Sequence, residues 1–238
     1  MTNPYLLLWL EAPLQSWGHD SKFGRRDTLN FPTKSGILGL ICSALGAGGE
    51  QRELLAEFAP LDQTVLSFVR RRDNGNETIK LEREPLLRDF HMVVSGYDDQ
   101  NPWASLLIPK TSEGKKAVGG GTKMTYRYYL QDAYFAVLLQ IPEAESDTIA
   151  VALQNPVWDV YLGRKNCVPT DFIYRGQYKS KNEAIEQALN IAHEKSLVED
   201  FRVLSGEHPG EALTLMDVPI QFGEFKQYRD RRVTVVAA

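Results

Sequence analysis

Residues 4–12, PYLLLWLEA, constrain the fold more than any other segment of this chain. From Tyr5 to Leu10 every residue is apolar, so the run has no polar face to turn toward water. A strand exposed on one side alternates, whereas a strand apolar on both faces suits the centre of a sheet. Any fold this chain adopts has to bury that strand.

A polar loop, PLQSWGHDSKFGRRDTLN (13–30), leads to FPTKSGILGLICSALG (31–46). There Ile37, Leu38, Leu40, Ile41, Ala44 and Leu45 recur at helical steps, with Thr33 or Ser35 as the N-cap. Gly36 and Gly39 interrupt the first turns, although a helical glycine costs about 1 kcal/mol relative to alanine. Two readings account for them. Either the helix packs closely on a sheet, or an anionic group approaches its N-terminus, where unpaired N–H groups and the positive dipole end favour phosphate.

GAGGE ends this helix, QRELLAEFA makes a short second one stopped by Pro60, and DQTVLSFVRR (62–71) is β-rich. Asn74-Gly75 is a hairpin signal leading into TIKLERE. From 84 to 121 no period is sustained, which predicts a long excursion from the core. TKMTYRYYL (122–130) and YFAVLLQI (134–141) are expected to form an antiparallel hairpin turning at QDA, followed by a helix halted by Pro156. VWDVYLG (157–163) reads as a strand ending in a Gly-basic loop. Ser180 and Glu183 have capping-box spacing ahead of a further helix, and the tail from Glu211 should hold one or two strands. Over residues 4–163 the order is βαββαβ, an α+β fold of the ferredoxin-like class with an insertion between its middle strands. That class hosts many functions, and the aromatic signature of standard RRM domains is missing from the sequence.

With 238 residues, 43% hydrophobic and 24% charged, the chain suits a soluble globular protein. No run approaches the roughly 18 apolar residues of a membrane span. The N-terminus has no basic segment before its apolar stretch, so the cytoplasm is the expected location. Cys42 and Cys167 are the two cysteines, and neither has metal-ligand spacing. The net charge of −4 argues against a non-specific nucleic-acid coat, but the basic residues are segregated into KFGRR, RRR, GKK, GRK and KQYRDRR, a pattern that favours an anionic partner.

Motifs for serine, zinc or P-loop chemistry are missing: there is no G-x-S-x-G, no H-E-x-x-H and no Walker spacing. Of the four histidines, His19 and His91 lie in segments suited to function, and His91 in LLRDFHMVV reads as a packed anchor for the insertion. No catalytic residue, metal site or cofactor is assigned. An RNA-facing reading rests on other residues. Tyr126, Arg127, Tyr128 and Tyr129 stand together, and Trp158 and Tyr161 precede Arg164 and Lys165. Aromatic faces and guanidinium planes stack on bases while cations hold phosphates. Alternation puts Tyr126 and Tyr128 on one face, expected in the core, and Arg127 and Tyr129 on the other.

APLQSWG (12–18), FPTKSGILGLICSALG, LLRDFHMV, YRYYLQDAYFAV and VYLGRKNCVPT resemble, in order and spacing, the CasD family of the type I-E CRISPR Cascade complex. The resemblance runs from about residue 5 to 175, with an echo in PIQFGEFKQYRDRRV. It implies a ferredoxin-like palm (1–72 and 131–238, with a C-terminal extension) and a thumb inserted at 73–130. It also implies a non-catalytic subunit that binds the repeat-derived 5′ handle of the crRNA and caps the filament of CasC-type backbone subunits. The CasA-type large subunit would dock alongside, and target DNA would be met only within the complex. Carried over by motif, Arg127 and Tyr161 would contact handle nucleotides, and Arg164 and Lys165 their phosphates. Trp17, Lys34, Ser35, Arg25 and Arg26 complete the expected RNA-binding set. The family's TRPTGRFPTRSG stands here as GRRDTLNFPTKSG, which displaces the basic residues around Arg25 and Arg26. Type I-C relatives supply the alternative, a metal-independent endoribonuclease that cuts repeat RNA.

Overall fold

The computed structural model describes residues 3–19, 21, 24–73, 75, 78–93, 111, 113 and 123–238. The apolar run becomes β1 (Tyr5–Gln15), in which Leu6 through Leu10 are fully buried. It pairs antiparallel with β6 (Lys123–Gln140) on one side and β7 (Tyr174–Tyr178) on the other. Beyond β6 come β3 (Gln63–Asp73), β8 (Leu197–Ser205), β10 (Gln227–Ala237) and β9 (Glu211–Gln221), so the main path is β7-β1-β6-β3-β8-β10-β9 with every pair antiparallel.

Alternate residues of β1 feed two cores. Leu6, Leu8 and Leu10 pack with Phe135 and Val137 against Ile37 and Ile41 of α1 (Lys34–Leu45) and Ile149 of α3 (Ser146–Gln154). Leu7 and Trp9 pack with Leu66 and Phe68 against Ala184, Ala188 and Ala192 of α4 (Lys181–Glu194). The alanine stripe lets α4 lie close to the Trp9 and Phe68 rings, whose centroids are 5.5 Å apart. A fully buried leucine is worth roughly 2 kcal/mol, and β1 places such residues on both faces. The helix ends follow their chemistry. Thr33 caps α1 by accepting from the Gly36 N–H, Gly46 closes it at φ 68°, and Ser180 caps α4 by accepting from the Glu183 N–H. A second helix, α2 (Arg52–Phe58), packs near β9.

Several sequence expectations need correction. Residues 123–140 are one strand, because Gln131 and Ala133 stay in the ladder with β1, and Asp132 takes φ 42° beside Pro13, which has no N–H to lose. With β6 continuous, Tyr129 shares the face of Phe135 and Val137 and is buried, while Tyr126 is 41% exposed, the reverse of the expected pair. Residues 157–163 form no strand: the Val157 and Trp158 N–H groups donate to Ala44 and Ser43 at the C-terminal end of α1 (2.9 and 3.2 Å). The strand beside β1 is β7 instead. The tail from Glu211 holds two strands, β9 and β10, as expected, while β8 before it carried no expectation.

The expected hairpin after β3 forms with β4 (Thr78–Lys80), paired Arg72 to Ile79. The start of the excursion, expected to be patternless, contains β5 (Leu87–Val93), which pairs with β6 from Lys123 to Tyr129 and makes a two-stranded arm. β2 (Arg25–Arg26) lies parallel to β6 at Tyr126 and Arg127. The rest of the excursion, residues 94–110 and 114–122 with Lys115 and Lys116, lies outside the described residues, as does Lys22.

Candidate functional site

The N-terminus of α1 spends its donors inside the protein. The Lys34 N–H donates to Asp217 (2.8 Å), the Gly36 N–H to the Thr33 hydroxyl (3.1 Å) and the Ile37 N–H to the Thr33 carbonyl (3.1 Å). Asp217 is buried and takes two further bonds from Arg231 (2.7 and 2.9 Å). The anion at this helix end is therefore the protein's own carboxylate. Lys34 is corrected with it: the side chain is 2% exposed and its Nζ donates to the Leu61 and Ala59 carbonyls (2.6 and 3.2 Å). Burial, reinforced by Arg231, pulls its pKa down to about 8. It is a structural group rather than a phosphate contact.

The two glycines of α1 differ in their surroundings. A Cβ on Gly36 would lie 2.8 Å from the Trp17 ring, so that glycine exists for packing. Trp17 is 1% exposed and its Nε1 donates to Gln15 (3.2 Å), which removes it from direct base stacking and corrects that expectation. A Cβ on Gly39 meets nothing within 4 Å. It faces a groove of about 580 Å³ bounded by α1, the 157–163 loop and the β9–β10 turn. Ser35, Ser43, Trp158, Tyr161, Lys226 and Tyr228 line it. The Tyr161 hydroxyl donates to Asp159 (3.3 Å), and partial desolvation, then that carboxylate, raises its pKa.

The loop holding Tyr161 is anchored at Gly163. Its φ is 99°, and a Cβ there would sit 1.7 Å from the Ser16 carbonyl oxygen. The Ser16 N–H donates to the Leu162 carbonyl (3.0 Å), and the Leu162 N–H to the Cys167 carbonyl (2.8 Å). Immediately beyond, Arg164 donates to the Tyr128 and Arg26 carbonyls (3.4 and 3.0 Å) and stacks over Tyr129 at 4.7 Å. This guanidinium ties the loop to β6 and β2 with part of its five-donor fork. Arg25 bonds to Asp27 (2.8 Å) and lies over Tyr128 at 5.0 Å. Arg26 neighbours Arg127, and Lys165 is exposed. Among the described residues Arg26, Arg127, Lys165 and Lys226 form no ion pair.

Residues 5–234 match the model of a family described as CRISPR-associated protein (Cas_Cas5). This chain belongs to the Cas5 family. CasD, the Cascade subunit of Escherichia coli (strain K12), is 33% identical over 178 residues, covering 72% of this chain and 70% of CasD. A chain of a CRISPR RNA-guided surveillance complex superposes with a TM-score of 0.69 at 28% identity, covering 98% of this chain and 90% of that one. A second solved structure, titled as a Cas protein, gives 0.59 at 25% identity, covering 98% and 94%.

In this Cas5 chain the fold brings Arg25, Arg26, Arg127, Arg164 and Lys165 together at the root of the arm, with Ser35 and Tyr161 on the adjoining groove. It leaves Trp17 and Lys34 beneath that surface. Tyr228 and Ser43 enter the groove without any sequence signal beyond the basic KQYRDRR run, because they meet Tyr161 only through tertiary contacts. His91 is no buried anchor: it is 42% exposed on the arm and contacts the Asp89 carboxylate. Among the described residues no cluster of His, Cys, Asp and Glu could hold a metal ion. Nor is any described helix long and apolar enough to cross a membrane.

Proposed function

We propose that this Cas5 chain is a non-catalytic, cytoplasmic RNA-binding subunit of a type I-E Cascade, holding the repeat-derived 5′ handle of the crRNA and capping the backbone-subunit filament. On this reading β7-β1-β6-β3 with α1 and α3 is a ferredoxin-like palm, and the β5–β6 arm is the root of the thumb. CasC-type and CasA-type subunits would be its protein partners, with target DNA met only in the complex. The observation that carries the reading is the gathering of Arg25, Arg26, Arg127, Arg164 and Lys165 beside an aromatic-lined groove, in a chain whose net charge is −4. Cations that hold phosphates next to rings that stack on bases are what single-stranded RNA requires. The identity to CasD and the likeness to a surveillance-complex chain point the same way.

The test is handle retention. Arg127→Ala and Tyr161→Ala are expected to lower the crRNA recovered with the tagged complex while melting temperature stays within a degree or two of wild type. Unchanged recovery in both variants would remove these contacts from the reading. One observation favours the endoribonuclease alternative, the exposed His91 held by Asp89 across from Arg127. Incubating the full chain with repeat RNA in EDTA separates the two, since the binding subunit leaves the RNA intact and a specific cut would establish the alternative.

A further inference from the structure

We infer that the cleft between the end of β3 and the turn from α4 to β8 holds the phosphate backbone of double-stranded DNA, on the face of the sheet opposite α1. The inference is independent of the handle reading, because it uses none of the same residues. It starts from the RRR run (70–72), which the patch at the root of the arm leaves unused. Glu11, Arg70, Arg71, Tyr134, Lys195 and Ser196 line a cleft of about 370 Å³ there. Tyr134 packs on the α4-side core, and Glu11 accepts from Trp9 of that core (2.9 Å), which sets this cleft and the groove beside α1 on opposite faces.

Only part of the positive charge in the cleft is neutralised within the protein. Lys195 is, by Glu11 and Asp171 (2.8 and 2.7 Å). Arg70 instead sends Nε and Nη2 to the Tyr134 hydroxyl (3.1 and 2.9 Å). The Arg71 Nε is buried without a hydrogen-bond partner, and the Asp73 carboxylate stands 3.7 Å from it. Arg72 is exposed and forms no ion pair among the described residues. From Arg70 to Arg72 the extended chain covers about 7 Å, so these guanidinium forks make a line of charge rather than a point. Ser196 lies at φ 56° just past α4, a position that usually takes glycine, and its carbonyl accepts from the Arg71 N–H (3.3 Å). Serine brings an exposed hydroxyl to the cleft where glycine would bring none. The Ile191 and His193 carbonyls at the end of α4 are taken by the Lys195 and Ser196 N–H groups (3.2 and 3.0 Å). The rings of the cleft favour a duplex over a single strand. Tyr134 is half-buried and already lies under the Arg70 guanidinium at 5.9 Å. Single strands are held by stacking on free rings, whereas a duplex is gripped through its phosphates by arginines and hydroxyls.

The test uses the full-length chain, a short duplex DNA of arbitrary sequence and a synthetic RNA of the repeat-derived 5′ leader. Arg70→Gln combined with Arg71→Gln should weaken duplex binding roughly 10-fold or more. Arg72→Gln, which removes an exposed side chain without an ion pair among the described residues, should lower the slope of log affinity against log salt by about 1. Arg127→Ala should leave duplex binding unchanged, and saturating leader RNA should not displace the duplex. A wild type that does not bind duplex at low salt, arginine variants that bind it as wild type does, or displacement by bound leader RNA would each overturn the inference and leave the handle reading standing. If wild type binds no duplex and the arginine variants lose a protein subunit from the purified complex, the cleft belongs to an acidic protein surface instead. A chain that binds duplex through these arginines but does not bind the leader loses the handle reading and keeps this one.

Discussion

Lys34 illustrates how far a residue's role depends on what folds over it. In sequence it is a lysine at a helix start, the natural place to expect a phosphate contact, yet Asp217 and Arg231 arrive from β9 and β10 and close that end of the helix. Its pKa falls from 10.5 to about 8, chiefly through burial. Between those values the unfolded chain still holds the proton that the folded chain has released, so stability rises with pH across that window. The burial penalty is present in full below about pH 8 and fades above it. Urea unfolding at about pH 7 and about pH 9.5 should show wild type gaining roughly 1–2 kcal/mol more than Lys34→Met over that interval. Equal changes in both proteins would mean that Lys34 does not titrate as its burial implies. The same lesson applies to the glycines of α1: identical residues three positions apart serve packing at Gly36 and an open groove at Gly39.

At the scale of elements, Arg83 is one of the side chains that fix the segment leading into the β5–β6 arm. Arg83, just before β5, donates to Asp200 of β8 (3.1 Å), to the Asn30 carbonyl (3.2 Å) and to the Ser67 hydroxyl, with its guanidinium over the Phe135 and Phe201 rings at 5.2 and 4.8 Å. Burial lowers its pKa against the pull of Asp200. Removing it leaves a half-buried carboxylate unpaired and releases the segment that leads into the arm. Arg83→Ala should therefore destabilise the protein by about 2 kcal/mol and speed amide exchange in residues 78–93 more than in β1. Exchange that rises uniformly, or not at all, would show that the arm is held elsewhere. Arg83 gave no sequence signal, since its partners lie 16, 53 and 117 residues away. β6 was half legible: both of its apolar and aromatic stretches read as strands. The polar QDA between them mimics a turn, and only the pairing of Gln131 and Ala133 with β1 carries the strand past the left-handed Asp132.

For the whole molecule, net charge and local charge point in opposite directions. A total of −4 repels nucleic acid at long range, while Arg26, Arg127, Lys165 and Lys226 stand without ion pairs among the described residues on one surface. Each phosphate neutralised on single-stranded RNA contributes about 0.7 to the slope of log affinity against log salt, so four contacts give a slope of about −3. Titrating the leader RNA across salt concentrations measures it, and a slope near zero would mean that the patch does not meet phosphates. The sequence by itself determined the two-sided burial of β1, the cap of α4, the narrowing of the α1 cap to Thr33 or Ser35, the α+β order of the first elements and the chemical character of the patch. These depend on local periodicity, on single side chains reaching nearby N–H groups and on composition, all of which act over a few residues. Tertiary structure alone decided that β6 runs unbroken, that Tyr126 faces out and Tyr129 in, that 157–163 closes a helix instead of joining the sheet, and that Trp17 and Lys34 lie beneath the site. Each of those outcomes is set by which distant backbone group or ring completes a hydrogen bond or a packed contact, and no local preference in the chain encodes that choice.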